Sequence, residues 1–327
     1  MLLLAEKILA PLNASTTQAE SSLSVVYFVE NFYLPYVKTN LKPSTYKDYA
    51  KDIFLKHLKT RLGDIRLRDF RTVSGQRIIR EIPEIAHKTR LRIKSFLSGV
   101  FKHALREGFL DGFNPMQNVS VGGRSEKFKG GVYTMYEISE ICEFVGNVNM
   151  TAFAVISVAA FAGLRLSELR GLRWSDYTGD SLTVTRSVWR THIGEPKTAS
   201  SAASVPVLPF LKRVLDEHRE RVDGKAEEYI FAGARRGAPL NLANLARRVI
   251  IPALATTETG MILTWRGWHA FRRSLATNLY SCGVTPKVIQ AILRHSDEST
   301  TMDFYIQPPD SEARAALQKM DDLLNVV

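Results

Sequence analysis

Residues 86–106 carry the sequence pattern that most restricts the fold, an apolar stripe that returns every three or four residues. Its members are Ile93, Phe96, Leu97, Val100, Phe101, Ala104 and Leu105. Because this spacing places the apolar side chains on one face of a helix, the segment predicts an amphipathic helix packed on a core. Gly108 follows the stripe and is expected to end the helix.

Two further helices are predicted ahead of that one. Aromatic and aliphatic residues cluster between Leu23 and Pro35, which predicts a helix that ends near the proline. Pro43 then opens a second helix. Its apolar positions are Tyr46, Tyr49, Ile53 and Phe54. We therefore expect a small all-helical domain over residues 23–116, preceded by a polar lead-in, residues 1–22, to which no fold is assigned.

The predicted helices of this domain have basic faces. The whole chain holds 44 Lys and Arg residues against 33 Asp and Glu residues, a net charge of +11, so nucleic acid is the leading class of partner. The alternative is a basic protein with a solvated surface, because a single basic helix face is more often solvated than bound to phosphates. Two such faces in one small domain favour DNA. The candidate DNA contacts are Lys47, Lys51, Lys88, Arg90, Arg92 and Lys94.

Residues 117–131 are glycine-rich, polar and basic, which is typical of an interdomain linker. Residues 132–327 then form a larger second domain. Helical spacing in this domain predicts helices over residues 151–162, 209–221 and 241–254. Gly163 is expected to end the first of these three.

Strands are predicted between the first and second of those helices. Residues 181–189 alternate apolar and polar side chains, and residues 203–207 form a second short strand. The sequence THIGEP between them predicts a turn, which leaves Lys197 at the rim of a hairpin. The fold class is therefore mainly α (α+β), with a small all-helical domain and a larger helical domain that contains a short antiparallel β-sheet.

Other sequence features exclude several classes of protein. Cys142 and Cys282 are far apart, so no disulfide framework or zinc ribbon is indicated. The chain holds no stretch of about 20 uncharged apolar residues, so no membrane span is expected. The first residues lack the basic region of a signal peptide. We expect a cytoplasmic, nucleoid-associated protein.

The stretch from His269 to Tyr305 concentrates residues that are suited to catalysis. His269 and Arg272 are three residues apart and share a face if the segment is helical. A helix beginning at Pro286 would deliver His295 at its end, and a third helix beginning near residues 299–301 would carry Tyr305. These four side chains are therefore expected to meet at one point.

Arg165 follows an apolar helix directly, at a position where a charged side chain needs a partner. Glu168 lies one turn further on and can supply that partner, which gives a purely structural explanation of the arginine. An anionic ligand is the alternative explanation.

Five short motifs in order resemble the tyrosine recombinases of the phage integrase family: AGLRLSEL, PKT, HAFRR, ILRHS and FY. The resemblance covers residues 132–305, and the basic helical domain also resembles the core-binding domain of that family. It implies a catalytic second domain and a site-specific recombinase or integrase that acts on double-stranded DNA. It further implies a 3′-phosphotyrosine intermediate and no metal or other cofactor.

The resemblance also implies roles for six residues. Tyr305 matches the nucleophile, and His269 is assigned to accept or position its proton. Arg165 and Arg272 match the two arginines that bind the phosphate, Lys197 matches the acid that protonates the leaving 5′-oxygen, and His295 matches a further hydrogen-bond donor. Three residues depart from the family pattern: Ala270 replaces a common acidic residue, Arg273 a frequent histidine, and Arg294 the usual small glycine before the histidine.

Two rival functions are open on the sequence. A DNA-binding regulator would keep the fold without cutting, and a metal-dependent nuclease would use His269, His295, Asp297 and Asp303. After Tyr305, apolar residues again recur at helical spacing and predict a tail helix. The resemblance implies that such a tail can dock on a neighbouring protomer, which leads us to expect a tetramer on two DNA sites.

Overall fold

The structure is a computed structural model that describes residues 19–82, 85–123, 131–195, 203–235, 237–255 and 263–294. The chain divides into two compact units, Met1–Phe128 and Lys129–Val327, each with its own hydrophobic core. Helices predominate, and the β structure is short and antiparallel. The predicted fold class is therefore confirmed.

The described part of the first unit is entirely helical apart from its connections. Its helices are α1 (residues 25–40), α2 (residues 43–62), α3 (Thr72–Glu81) and α4 (His87–Arg106). The stripe predicted for α4 is its buried face, from Ile93 to Ala104. Each such side chain contributes about 1.5–3 kcal/mol when fully buried, so this helix organises the core of the unit.

Helix α1 continues past Pro35, so its predicted end at that residue is wrong. A π-helical turn at Val29–Tyr33 precedes the proline, and Pro35 takes an early position of the α-helical segment Leu34–Asn40. At such a position the missing N–H of proline is tolerated. The helix then buries Val37 completely, and this packing favours its continuation.

Both edges of the first unit contain more structure than the sequence indicated. Ala19–Ser22 forms a 3-10 turn, although it belongs to the lead-in for which no fold was expected. Val119 is 2% exposed and joins the core of the unit, and the Gln76 side chain exchanges hydrogen bonds of 2.9 Å with the backbone of Ser120. The first part of the predicted linker therefore packs on the helical unit.

The second unit combines helices with two small sheets. Its helices are α5 (Met135–Val148), α6 (Met150–Phe161), the single turn α7 (Leu166–Leu169), α8 (Pro209–Val222), α9 (residues 242–255), α10 (Trp268–Ser281) and α11 (Pro286–Leu293). Its strands are β1 (Ser181–Thr183), β2 (Ser187–Trp189), β3 (His192–Gly194) and β4 (Ser204–Pro206). Helix α6 lies in the core. Among the described residues, none of the helices has the length and apolar character needed to cross a membrane.

The strands pair as two antiparallel sheets of two strands each. Strand β1 pairs with β4, and Leu182 lies opposite Val205. Strand β2 pairs with β3 across a turn at Arg190 and Thr191. The turn predicted for all of THIGEP is therefore wrong, since its residues His192–Gly194 form β3. This strand is exposed along its length, so it lacks the apolar alternation by which strands are recognised.

Candidate active site

Arg165 lies in the connection between two helices of the second unit. Helix α6 is apolar all round and ends at Phe161; Ala162 caps it, and Gly163 then takes a left-handed conformation with φ 59°. The chain then turns, and Arg165 becomes the N-cap residue of α7. Arg165 therefore lies just beyond the buried helix, at the edge of the core, where its side chain is 21% exposed.

Glu168 binds Arg165 through both of its carboxylate oxygens. Oε2 accepts a hydrogen bond from the backbone N–H of Arg165 at 3.0 Å, and Oε1 accepts one from Nη1 at 2.8 Å. The carboxylate thus caps α7 and pairs with the guanidinium at once. The ion pair considered in the sequence analysis is therefore present.

Arg294 is a second guanidinium on the same carboxylate, and its role was missed by the sequence analysis. It lies at the C-terminal end of α11, and its Nη2 donates to Oε2 of Glu168 at 3.0 Å. Its side chain is 4% exposed. The sequence shows Arg294 as a departure from the glycine that is usual in the family. It does not show that a left-handed backbone at the helix end turns this side chain inward.

The charges of this cluster shift the pKa values of its members. Burial raises the pKa of the Glu168 carboxyl, but hydrogen bonds from Arg165 and the charges of Arg294 and Arg165 outweigh burial, so the pKa lies below its usual range. Burial also lowers the pKa of the Arg294 guanidinium, with Glu168 opposing this shift. Glu168 is therefore ionised at neutral pH.

Arg272 lies on α10 and is 4% exposed. Its Nη1 donates to the carbonyl oxygen of Gly163, and its Nη2 donates to that of Leu293. The last carbonyls of a helix have no partner within the helix and carry its negative dipole end. A guanidinium is thus drawn to the end of α11.

The two predicted arginines converge on the same short segment. While Arg272 binds the carbonyl of Leu293, Nη2 of Arg165 donates to the carbonyl of the next residue, Arg294, at 3.4 Å. Arg165 and Arg272 come from different elements and are 107 positions apart by their numbering. Both guanidiniums therefore bind carbonyls at the end of α11, directly before His295 in the chain.

His269 lies one turn before Arg272 on α10. It is exposed, so it is not a histidine buried in the core. Partial loss of hydration lowers the pKa of His269. The positive charges of Arg272, Arg273 and Arg165 lower it further, and the negative charge of Glu168 opposes this only in part. A neutral imidazole at physiological pH can accept a proton.

Three of the six predicted catalytic residues lie outside the described residues, namely Lys197, His295 and Tyr305. The predicted third helix near residues 299–301 and the tail helix also lie outside them. The same holds for Asp297 and Asp303 of the rival nuclease site. The structure thus brings together Arg165, His269 and Arg272 of the predicted set, with Glu168.

Two of the candidate DNA contacts on the first unit are engaged with carboxylates. Lys47 lies 3.7 Å from Asp52 on α2. Arg92 on α4 pairs with Asp48. Both pairs are partly exposed, so each contributes little to stability. They partly neutralise the basic face on which these residues lie.

The other four candidates differ in their surroundings. Arg90 donates to the carbonyl of Ile82 at 3.3 Å, which ties the start of α4 to the end of α3. Lys94 is half-buried, whereas Lys51 and Lys88 are exposed. Within the described ranges, neither exposed lysine has a carboxylate partner. These two side chains are the most accessible cations of the six.

The guanidiniums of Arg165, Arg272 and Arg294 meet at the end of α11, and that of Arg165 is the most exposed of the three. The planar fork of arginine suits bidentate contacts with phosphate oxygens. An imidazole that is neutral and exposed lies beside the two arginines. The site therefore places cationic hydrogen-bond donors beside a group that can take up a proton.

Comparison with known proteins identifies the class. Residues 132–312 match the model of the phage integrase family, and this match covers more than half of the chain. The chain belongs to the phage integrase family. The predicted identification as a site-specific recombinase of this family is thereby confirmed.

Similar proteins agree with this assignment. A "tyrosine recombinase XerC-like" protein of Caldanaerobacter subterraneus subsp. tengcongensis is 25% identical over 318 residues, covering 88% of this chain and 80% of that protein. The integrase of transposon Tn1549, solved with transposon right end DNA, superposes with a TM-score of 0.73 at 20% identity, over 91% of this chain and 100% of that one. A lambda integrase dimer bound to a core site gives a TM-score of 0.67 at 18% identity, over 93% and 85%. At these identities the solved structures establish the fold.

Proposed function

We propose that this recombinase cleaves and rejoins duplex DNA through Tyr305, which attacks the phosphodiester to form a 3′-phosphotyrosine and releases a 5′-hydroxyl. The observation that carries the proposal is the convergence of Arg165 and Arg272 on the end of α11. His295 follows that end directly, and Tyr305 follows ten residues later. A covalent intermediate retains the energy of the phosphodiester, which simple hydrolysis would lose.

Arg165 and Arg272 stabilise the charge that develops on the non-bridging phosphate oxygens. Both guanidiniums are held by described partners before substrate arrives, Arg165 by Glu168 and Arg272 by backbone carbonyls. Donors that are already oriented need little reorganisation in the transition state, which is the largest single source of catalysis in many enzymes. Cationic side chains thus supply the electrostatic stabilisation, and we expect no requirement for a divalent ion.

His269 accepts or positions the proton of the Tyr305 hydroxyl. A free tyrosine has a pKa near 10, so only about one in a thousand is ionised at neutral pH. The lowered pKa of His269 keeps its imidazole in the neutral form and therefore available as an acceptor. Lys197 protonates the leaving 5′-oxygen, and His295 donates a further hydrogen bond to the phosphate. These last two roles rest on the family resemblance.

Double-stranded DNA is the proposed substrate. The net charge of +11 and the exposed Lys51 and Lys88 favour phosphate contacts, and the Tn1549 and lambda integrases were solved with DNA. If these contacts form, the logarithm of the binding constant falls with the logarithm of the salt concentration, by about 0.9 for each phosphate neutralised. Binding that ignores salt would contradict this part of the proposal.

We further propose the domain roles and assembly expected from the sequence. Residues 23–116 bind DNA, residues 117–131 connect, and residues 132–327 catalyse strand exchange. A lambda integrase tetramer was solved on a Holliday junction, which favours a tetramer here, with the tail helix docked on a neighbouring protomer. Such a protein would be associated with the nucleoid.

The test is a covalent trap. The full chain is incubated in EDTA with duplexes from its own genetic neighbourhood that carry a nick next to the candidate site, so that the short product diffuses away and cleavage accumulates. We expect an SDS-resistant adduct with the wild-type protein and none with Tyr305→Phe, although both bind the duplex equally well. Tight binding without any adduct would favour the DNA-binding regulator, and an adduct or nick that requires a divalent ion would favour the nuclease.

A further inference from the structure

Arg294 carries a buried charge, and the catalytic roles proposed above do not include it. Its guanidinium is paired with Glu168, but its Nε and Nη1 atoms have no hydrogen-bond partner within the part of the chain that the structure describes. Each unpaired buried donor costs about 1–3 kcal/mol. The residue is therefore held in place against a considerable local cost.

The backbone of Arg294 adds to that cost. It has φ 55° and ψ 46° at the end of α11, the left-handed conformation in which helices commonly end and for which glycine is the least strained residue. A side chain in this conformation costs about 1–2 kcal/mol. Glycine at this position would avoid both the backbone strain and the buried charge. The interaction that arginine adds in exchange is the ion pair with Glu168.

Glu168 connects Arg294 to Arg165. Its Oε2 atom receives Nη2 of Arg294 and the backbone N–H of Arg165, and its Oε1 atom receives Nη1 of Arg165. Without Arg294, both carboxylate oxygens would be held only by Arg165, at the N-cap of the same short turn. The guanidinium of Arg294 adds a hydrogen bond from another element, the end of α11, and restrains the carboxylate, and with it the fork of Arg165, relative to that helix end.

We propose that Arg294 is a positioning residue, which keeps the Arg165 guanidinium in the orientation that binds the scissile phosphate by fixing the carboxylate of Glu168. This inference rests on the proposed function, in which Arg165 binds that phosphate. The proposal concerns only the side chain of Arg294. The hydrogen bond from Arg165 to the Arg294 carbonyl is a backbone contact and does not depend on which side chain residue 294 carries.

The second unit contains a comparable ion pair outside the Arg165–Glu168–Arg294 cluster, in which the arginine also donates to the carbonyl of Gly171. Asp176 also caps a helical turn, accepting from the backbone N–H of Arg173 at 2.8 Å, and also pairs with a second arginine, Arg186. Arg186→Met and Arg294→Met therefore each remove the second arginine from a capping carboxylate. The loss of stability is expected in both variants, whereas the loss of cleavage is expected only in Arg294→Met.

The first experiment measures single-turnover cleavage of the nicked duplex and, separately, DNA affinity. Misplacing a catalytic group by about 1 Å can cost about 100-fold in rate, so we expect Arg294→Met to cleave about 100-fold more slowly with DNA affinity unchanged. Arg294→Lys should recover part of the rate, since it restores the charge on Glu168. Should the methionine variant unfold, Arg294→Gly provides the same test, because glycine removes the backbone strain at this position. We expect Arg294→Gly to cleave slowly as well.

The second experiment is a double-mutant cycle with Arg165→Lys. If Arg294 acts through Arg165, the substitution Arg294→Met slows cleavage in the wild-type background but adds little once the fork of Arg165 is gone. Rate losses that multiply would show that Arg294 acts on the phosphate independently, and would overturn the positioning role. An unchanged rate in Arg294→Met and Arg294→Gly would also overturn it. If the wild-type protein forms no adduct on any duplex, the proposed function itself has failed.

Discussion

Replacing Glu168 by glutamine removes one charge from the centre of the site without changing the shape of the side chain. The carboxylate is 1% exposed and accepts from Arg294 and twice from Arg165. Glutamine retains one acceptor oxygen, but its amide nitrogen is a donor and must face another donor. The Glu168→Gln variant therefore loses at least one charged hydrogen bond, and the guanidiniums of Arg165 and Arg294 lose the charge of Glu168.

The magnitude follows from the burial of the two partners. Breaking a fully buried ion pair by removing one partner costs about 3–5 kcal/mol. The Arg294 side chain is 4% exposed and meets this description, whereas that of Arg165 is 21% exposed, so water can replace part of what Arg165 loses. We therefore expect the free energy of unfolding to fall by about 3 kcal/mol, at the lower end of this range.

Urea denaturation of the full chain at several pH values measures this loss. The folded-state pKa of Glu168 lies below its unfolded value, so its contribution is fully present above the unfolded pKa of about 4.3 and is lost as pH falls through the folded pKa. The difference between wild type and Glu168→Gln should thus be constant at neutral pH and shrink in acid.

Asp176→Asn is the control, because Asp176 is 5% exposed and also caps a turn while pairing with an arginine. Both variants should lose comparable stability, but only Glu168→Gln should slow cleavage. A Glu168→Gln protein as stable as wild type, or a difference that persists unchanged in acid, would refute the reasoning.

Three further predictions concern the surroundings of the site. Gly163→Ala should destabilise the protein by about 1–2 kcal/mol, because Gly163 has φ 59° and the new Cβ would meet two leucine methyl groups at 3.0 Å. It should also slow cleavage, because the carbonyl of this residue binds Arg272. Urea unfolding and single-turnover rates measure both effects, and a variant that matches wild type in both would exclude this prediction. Cleavage should persist below about pH 6.5 and fall only as acid protonates His269, whose pKa is lowered; a pH–rate profile that falls already above that pH would contradict the assignment. A thiol reagent should modify the exposed Cys282 rapidly and Cys142 only on unfolding, because burial raises the pKa of the Cys142 thiol to about 11; rapid modification of both thiols in the native protein would contradict this.

The helices were largely predictable because their signal is local. The stripe from Ile93 to Leu105 predicted α4 to within one residue of its observed start, since a long helix against a core repeats its apolar residues every turn. Strand β3 was not predictable, because it is exposed on both faces. The continuation of α1 past Pro35 depends on a π-helical turn and on burial of Val37, neither of which is visible in local propensity.

The site was predictable as a set of residues but not as a network. Short motifs identified Arg165, Glu168, His269 and Arg272. No local pattern indicates that Glu168 is shared with Arg294, because this contact joins residues 126 positions apart and requires a left-handed residue at the end of α11. The carbonyls that hold Arg272 are backbone atoms, which no pattern of side chains reveals.

The most direct test of the central claim is to identify the residue that carries the DNA. The adduct formed on the nicked duplex is digested with nuclease and trypsin, and the modified peptide is sequenced by mass spectrometry. Cleavage after Arg294 and Arg314 releases residues 295–314, in which Tyr305 is the one tyrosine. We predict a nucleotide on Tyr305 of this peptide; a nucleotide on any other residue, or an adduct that persists in Tyr305→Phe, would contradict the account.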